Sequence, residues 1–260
     1  MKERQRKSRV ILIRRRYLVM AAVCAMVIGI FYIVTHPALV GTAGRERLRP
    51  IYSVQREDAL LSLTFNLEGP EVGNTAQLVQ TLDALGIRAT FFATGEWVRQ
   101  NPGIAAALSE RGHELMNLSD DHSPLNRRRT AAIHENIAAC SEAILAATGR
   151  MPHLFRAPFG EYDDNIIAQA ATLGMRTIQW SIDSGDRRGI PAQEIARQVV
   201  AGASPGGIVL LHGNLEETVY ALETMVHNLQ DAGFILLPVS ELIHTRAYII
   251  SSAGRQIPLD

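Results

Sequence analysis

From residue 59 onward, short apolar runs alternate with longer amphipathic stretches, a pattern that predicts strands alternating with helices. Seven runs rich in β-branched and aromatic residues are the strand candidates: 59–65, 89–94, 114–117, 153–157, 176–182, 207–212 and 235–238. Between them, apolar residues recur at helical spacing. Leu78, Leu82 and Leu85 form one stripe, Ile133, Ile137 and Ile144 another, and Val219, Leu222, Met225, Val226 and Leu229 a third. Such spacing lines one face of a helix and predicts core contacts rather than a cofactor site. Seven strands separated by helices imply a parallel sheet with right-handed crossovers. Periodicity alone does not choose between an open sheet and a closed barrel.

Before residue 59 the pattern changes. Residues 1–16 hold eight of the 26 Lys and Arg and one of the 26 Asp and Glu. The nineteen residues 17–35 carry no charge, about the length that crosses a hydrocarbon core of roughly 30 Å as a helix. The reading is a basic cytoplasmic segment, 1–16, and a transmembrane helix, 17–35. A short linker, 36–58, a folded domain, 59–244, and a C-terminal tail, 245–260, follow. Because Arg14, Arg15 and Arg16 directly precede the apolar run, the N-terminus is expected in the cytoplasm and the domain outside, in a single-pass cell-membrane protein. The alternative is secretion after cleavage of a signal peptide near Gly41-Thr42-Ala43. The remaining residues have a net charge of minus seven, which argues against nucleic-acid binding by the folded part, since phosphate recognition needs a basic face. Cys24 and Cys140 are the two cysteines, one in the apolar run and one in a predicted helix. They suggest neither a disulfide framework nor a metal site.

Polar residues concentrate where strand candidates end. Those stretches are TFNLEGP (64–70), NLSDDH (117–122), RAPFG (156–160), WSIDSGDR (180–187) and LLH (210–212). Together and in this order they resemble the motifs of the polysaccharide deacetylase family (NodB-homology, carbohydrate esterase 4-like). Departures in the first two motifs are similar to a sporulation-associated branch. The resemblance covers about residues 60–243. It implies a distorted (β/α)7 barrel, preceded here by the N-terminal helix, with its site at the C-terminal strand ends, in keeping with parallel α/β barrels generally.

The same resemblance implies hydrolysis of N-acetyl amides on an amino-sugar polymer such as peptidoglycan, assisted by a divalent metal, zinc or similar. A metal held by one Asp and two His would polarise the carbonyl and activate water. A second Asp would act as base and a His as acid. Carried onto this chain, the acid is His212, tuned by Asp186, and Arg156 orients the base. The base position holds Asn66, whose amide cannot take up a proton. Leu67 and Leu118 fall at two metal-ligand positions, leaving His122 as the surviving ligand. Glu68 is a candidate replacement for a lost carboxylate, as base or ligand, and Asp121, beside Asp120, is a candidate oxygen ligand. Arg156, without an Asp beside it, is expected to pair with Glu68, Asp183 or an anionic group. Pro158, Phe159, Gly160, Trp180 and Leu210 are the expected substrate-binding residues, with Trp180 equally suited to the core. Arg187 stands where the family usually has Trp. Two functions follow: a membrane-anchored deacetylase with an altered site, or an inactive relative that binds glycan or a cell-envelope partner.

Overall fold

The computed structural model describes residues 16, 20, 22–28, 47–69 and 73–259. In chain order the elements are β1 (Ser53–Val54), β2 (Leu60–Leu67), α1 (Thr75–Ala84), β3 (Thr90–Ala93), α2 (Gly95–Gln100), α3 (Pro102–Glu110), β4 (Glu114–Asn117) and α4 (Thr130–Thr148). Then come β5 (Leu154–Phe155), α5 (Asp164–Thr172), β6 (Arg176–Thr177), β7 (Ile182–Asp183), α6 (Ala192–Gly202) and β8 (Gly207–His212). The chain closes with α7 (Glu216–Asp231), β9 (Ile235–Leu236), α8 (Val239–Leu242), β10 (Tyr248–Ile250) and β11 (Arg255–Pro258).

Local chemistry sets several of the boundaries. Thr94 starts α2 by accepting a hydrogen bond from the Trp97 amide at 3.1 Å, and Asp163 starts α5 through the Ile166 amide at 2.8 Å. Each satisfies an amide that the first helical turn leaves without a partner. Gly149 stops α4 in the left-handed conformation, φ 70°, which glycine adopts without steric cost.

The strands form one sheet in the order β10-β11-β1-β8-β2-β3-β4-β5-β6, with β7 beside β8 and β9 beside β2. From β8 through β2, β3, β4 and β5 to β6 every pair is parallel. The sheet curls into an α/β half-barrel. Ile51 bridges to Ile178 just beyond β6, and three residues later Val54 lies in β1, whose Ser53 pairs with Gly207 of β8. Residues 51–54 therefore join the two ends of the parallel run.

The buried apolar residues form three clusters, and alternation along β2 sends its odd-numbered residues into the first of them. Leu61, Leu63, Phe65 and Leu67 pack outward with Leu78, Leu82, Leu222, Met225 and Val226 of the helices. A second cluster, with Phe92, Met116, Leu118, Ile178 and Ile208, also includes Ile51 and Val54. Each such side chain, fully buried, contributes about 1.5–3 kcal/mol.

The folded unit runs Leu48–Asp260, wider than the expected 59–244. Residues 48–58 supply β1 and two core side chains, and residues 245–259 supply β10 and β11. The strand expected at 176–182 is split into β6 and β7. The other unit, Met1–Arg47, contains a helical run at 22–28. Most of the expected membrane helix, together with residues 1–15 and 36–46, lies outside the described residues. Among the described residues no helix is long and apolar enough to cross a membrane.

Candidate functional site

A pocket of about 200 Å³ opens at the C-terminal ends of the parallel strands, lined among others by Asn66, Glu68, His122, Phe159, Trp180 and His212. The register puts Asn66 beside His212 on one side and Phe92 on the other. Because β2 continues through Leu67, strand alternation turns Leu67 into the helix-facing core and brings Glu68 back to the pocket face. The continuation of β2 thus corrects the expectation that put Leu67 at a ligand position of the site. The position after Asn66 does not reach the pocket, and the carboxylate that does is Glu68.

Arg156 sits beneath this wall, fully buried. Its Nη1 donates to Asn66 Oδ1 at 2.9 Å, and its Nη2 donates to Thr64 Oγ1 at 2.9 Å and to the Gln179 carbonyl at 3.3 Å. The guanidinium lies 4.0 Å from the Phe92 ring centroid. These partners are all neutral, so the expected pairing with Glu68 or Asp183 does not occur. Burial without a counter-charge pushes the Arg156 guanidinium down to about 9. The hydrogen bond also fixes the Asn66 amide, since Oδ1 must face the guanidinium and Nδ2 then points away from it. A donor thus stands where a base would need an acceptor.

The opposite wall brings His212 and Asp186 together. His212 Nδ1 lies 2.8 Å from Asp186 Oδ1, and Asp186 Oδ2 accepts from the His212 amide at 2.7 Å and from Thr218 Oγ1 at 2.9 Å. Burial opposes the Asp186 charge, but the hydrogen bonds from His212 and Thr218 outweigh it and hold the carboxyl below its usual range. The carboxylate orients the imidazole so that Nε2 is the nitrogen left for a ligand.

Glu68 is almost fully buried and makes two close contacts. One runs from Oε2 to His122 Nε2 at 2.5 Å, the other from Oε1 to the Arg187 guanidinium. Neither meets hydrogen-bond alignment. Burial pushes the His122 imidazole down to about 4, so at neutral pH it is uncharged and Arg187 is the cation facing Glu68. Asp121 is not at the pocket. Its carboxylate accepts from Asn136 and Ser123 and pairs with Arg128 at 2.6 Å. Although burial works the other way, those bonds bring it to about 2. Asp120 pairs with Arg99 at 2.8 Å. Leu118 is a core residue. Among the described residues no group of three or more His, Cys, Asp or Glu is placed to hold a metal ion. The donor set, one carboxylate already bound to a guanidinium and one imidazole, does not fit the zinc-type site that the resemblance implies.

Of the expected substrate-binding residues, Phe159, Trp180 and Leu210 line the pocket, while Pro158 is buried behind it. Gly160, φ 73°, shapes the wall from behind, since a Cβ there would meet the Trp180 ring at 3.0 Å. Phe159 is exposed and its ring centroid lies 4.5 Å from that of His122. Ser119, His122 and Phe159 are, among the described residues, the non-glycine positions with positive φ. His122 and Phe159 line the pocket, and Ser119 Oγ accepts from the His122 amide at 3.1 Å; such backbone strain accumulates at functional sites. Sequence reasoning missed Thr64, Thr218, Gln179 and the site role of Arg187. Arg187 carried a signal, a charged residue in place of Trp directly after Asp186.

Comparison with known proteins places these features. The polysaccharide deacetylase family model matches residues 53–178. Peptidoglycan-N-acetylglucosamine deacetylase PgdA of Listeria monocytogenes is 32% identical over 182 residues, which cover 70% of this chain and 38% of that protein. The chain therefore matches well under half the length of that relative. A chitooligosaccharide deacetylase of Bradyrhizobium sp. is 29% identical over 214 residues, covering 74% of this chain and 97% of that protein. Among solved structures, wild-type BA3943 of Bacillus anthracis, described as a CE4 family pseudoenzyme, superposes with a TM-score of 0.71 at 28% identity, over 74% of this chain and 68% of that one. A BA3943 mutant described as having restored enzymatic activity superposes with the same TM-score of 0.71.

Proposed function

Because the chain belongs to the polysaccharide deacetylase family, we propose that its pocket is an N-acetyl-glycan site that binds its ligand without hydrolysing it. Deacetylases of this family act on N-acetyl amide bonds in carbohydrates and are generally metal-dependent. One observation carries the reading: the base position holds Asn66, an amide whose Oδ1 is taken by Arg156 and which cannot accept a proton. General-base catalysis is typically worth roughly 10²–10⁴ in rate, and the metal that would activate water has no ligand set among the described residues. What remains is a groove with an exposed aromatic wall, Phe159, the Trp180 ring and polar groups on Asn66 and His212. That is the equipment for stacking on a sugar and holding an acetamido group.

The intact His212–Asp186 pair favours a second reading, a deacetylase that uses Glu68 in place of the lost carboxylate. Glu68 is already engaged by His122 and Arg187, which makes it a poor base. Peptidoglycan and chitin-type oligomers are the ligands to test, given what the relatives named above act on. The apolar, uncharged run at 17–35 behind Arg14–Arg16 supports a single-pass anchor with the domain outside the cell, to be checked by protease accessibility of the domain in intact cells.

The test pairs acetate release from N-acetylated peptidoglycan and chitin oligomers, with and without zinc, with calorimetric binding of the same oligomers to the full chain. Binding without acetate release, weakened at least tenfold (about 1.4 kcal/mol) by Trp180→Ala, is the expected result. Zinc-dependent acetate release abolished by His212→Ala would replace this reading with the second.

A further inference from the structure

The positive charge of this pocket comes from the protein chain itself. Gly185 and Gly189, φ 70° and 67°, bound the short turn 186–188. The turn delivers two groups at once: Asp186 to His212, and Arg187 to Glu68. Arg187 is half exposed and approaches from the solvent side, while Glu68 is held from the other side by His122. Partial burial pushes the Arg187 guanidinium below its ordinary value, but an arginine remains charged at any physiological pH.

A divalent ion bound by Glu68 and His122 would need about 2.0–2.2 Å to each ligand atom. The 2.5 Å between those atoms would have to widen to admit it, and the Arg187 guanidinium would have to leave. Leu118, at the position where the family motif has a His, is an apolar core residue and supplies no third ligand. We infer that Arg187 is a resident cation in the electrostatic place of a metal, neutralising Glu68 and excluding divalent ions from the pocket. The inference does not depend on the glycan reading, because it concerns the state of the pocket before any ligand arrives. It accounts for the joint appearance of an added carboxylate at residue 68 and an arginine at residue 187, since a nearly buried Glu68 needs a positive partner.

Zinc titration of the full chain, read by calorimetry and by thermal melting, tests it. The native chain and Arg187→Lys are expected to show no zinc-dependent heat and no shift in melting temperature. Arg187→Ala, which removes a half-exposed side chain and leaves the core intact, is expected to bind zinc at least tenfold more tightly (about 1.4 kcal/mol). Adding Glu68→Gln to Arg187→Ala should abolish that gain. In a Leu118→His background, which restores the ligand that the family motif has at that position, removing Arg187 should strengthen zinc binding further. Two results would overturn the inference: zinc binding by the native chain that Glu68→Gln removes, or no gain from Arg187→Ala in either background. Absence of glycan binding would sink the functional proposal and leave this inference standing.

Discussion

A guanidinium buried among neutral partners is an unstable arrangement to keep, and Arg156 keeps it with Asn66, Thr64 and a backbone carbonyl. Asn66→Asp would place a carboxylate 2.9 Å from Nη1 and convert a hydrogen bond from a cation to a neutral amide into an ion pair. The gain should be on the order of 2 kcal/mol, or roughly 4–8 °C in melting temperature for a domain of this size. A calorimetric melt that fell on this substitution would show that the Arg156 charge is compensated elsewhere. His122 gives the pH dependence. Its folded pKa, about 4, lies below the ordinary 6.5, so between those values the unfolded chain binds a proton that the folded chain refuses. Its contribution is present above pH 6.5 and is lost as pH falls towards 4. Urea midpoints at pH 7 and pH 4.5 should drop further in the native chain than in His122→Gln. The difference should be on the order of 2 kcal/mol, isolating His122 from the carboxylates that titrate alongside it.

Among the elements, those with a strong period were legible in the sequence. The strands β4 and β8 begin and end where the apolar runs do, and the helical stripes at 133–144 and 219–229 are buried as their spacing demands. Strand β2 was legible as a strand but not to its end. Asn66 and Leu67 read as turn residues before Gly69, whereas pairing with β3 carries the ladder through both and pairing with β8 carries it through Asn66. That extension decides the site, because each added strand residue changes which side chain faces the pocket. The half of the site made by His212, Asp186 and Arg156 was legible because each sits in a motif at a strand end. The Arg187–Glu68–His122 contact was not, since it joins three separate segments and no local pattern encodes it. Asp121 failed as a ligand for a local reason: Ser123, Arg128 and Asn136 lie nearer than the pocket and absorb its charge.

At the scale of the molecule, the least periodic stretch turns out to complete the sheet. Residues 48–58 read as linker because Pro50 and mixed charges interrupt any pattern, and a strand of two residues leaves no period to detect. Yet Ile51 and Val54 are buried in the second core cluster, and the Ile51 amide and carbonyl bond to the Thr177 carbonyl and the Gln179 amide at 2.9 and 2.8 Å. A chain beginning at Leu48 should therefore unfold in urea with one cooperative transition. A chain beginning at Ala59 loses two fully buried apolar side chains, each worth about 1.5–3 kcal/mol, together with the strand that joins β8 to β11. Set against a total stability of about 5–15 kcal/mol, that loss should leave the shorter chain unfolded or aggregated at neutral pH. Equal urea midpoints for the two chains would mean that the parallel strands hold their curl without the bridge to Ile178. The pocket would then owe its shape to β2, β3, β4 and β8 alone.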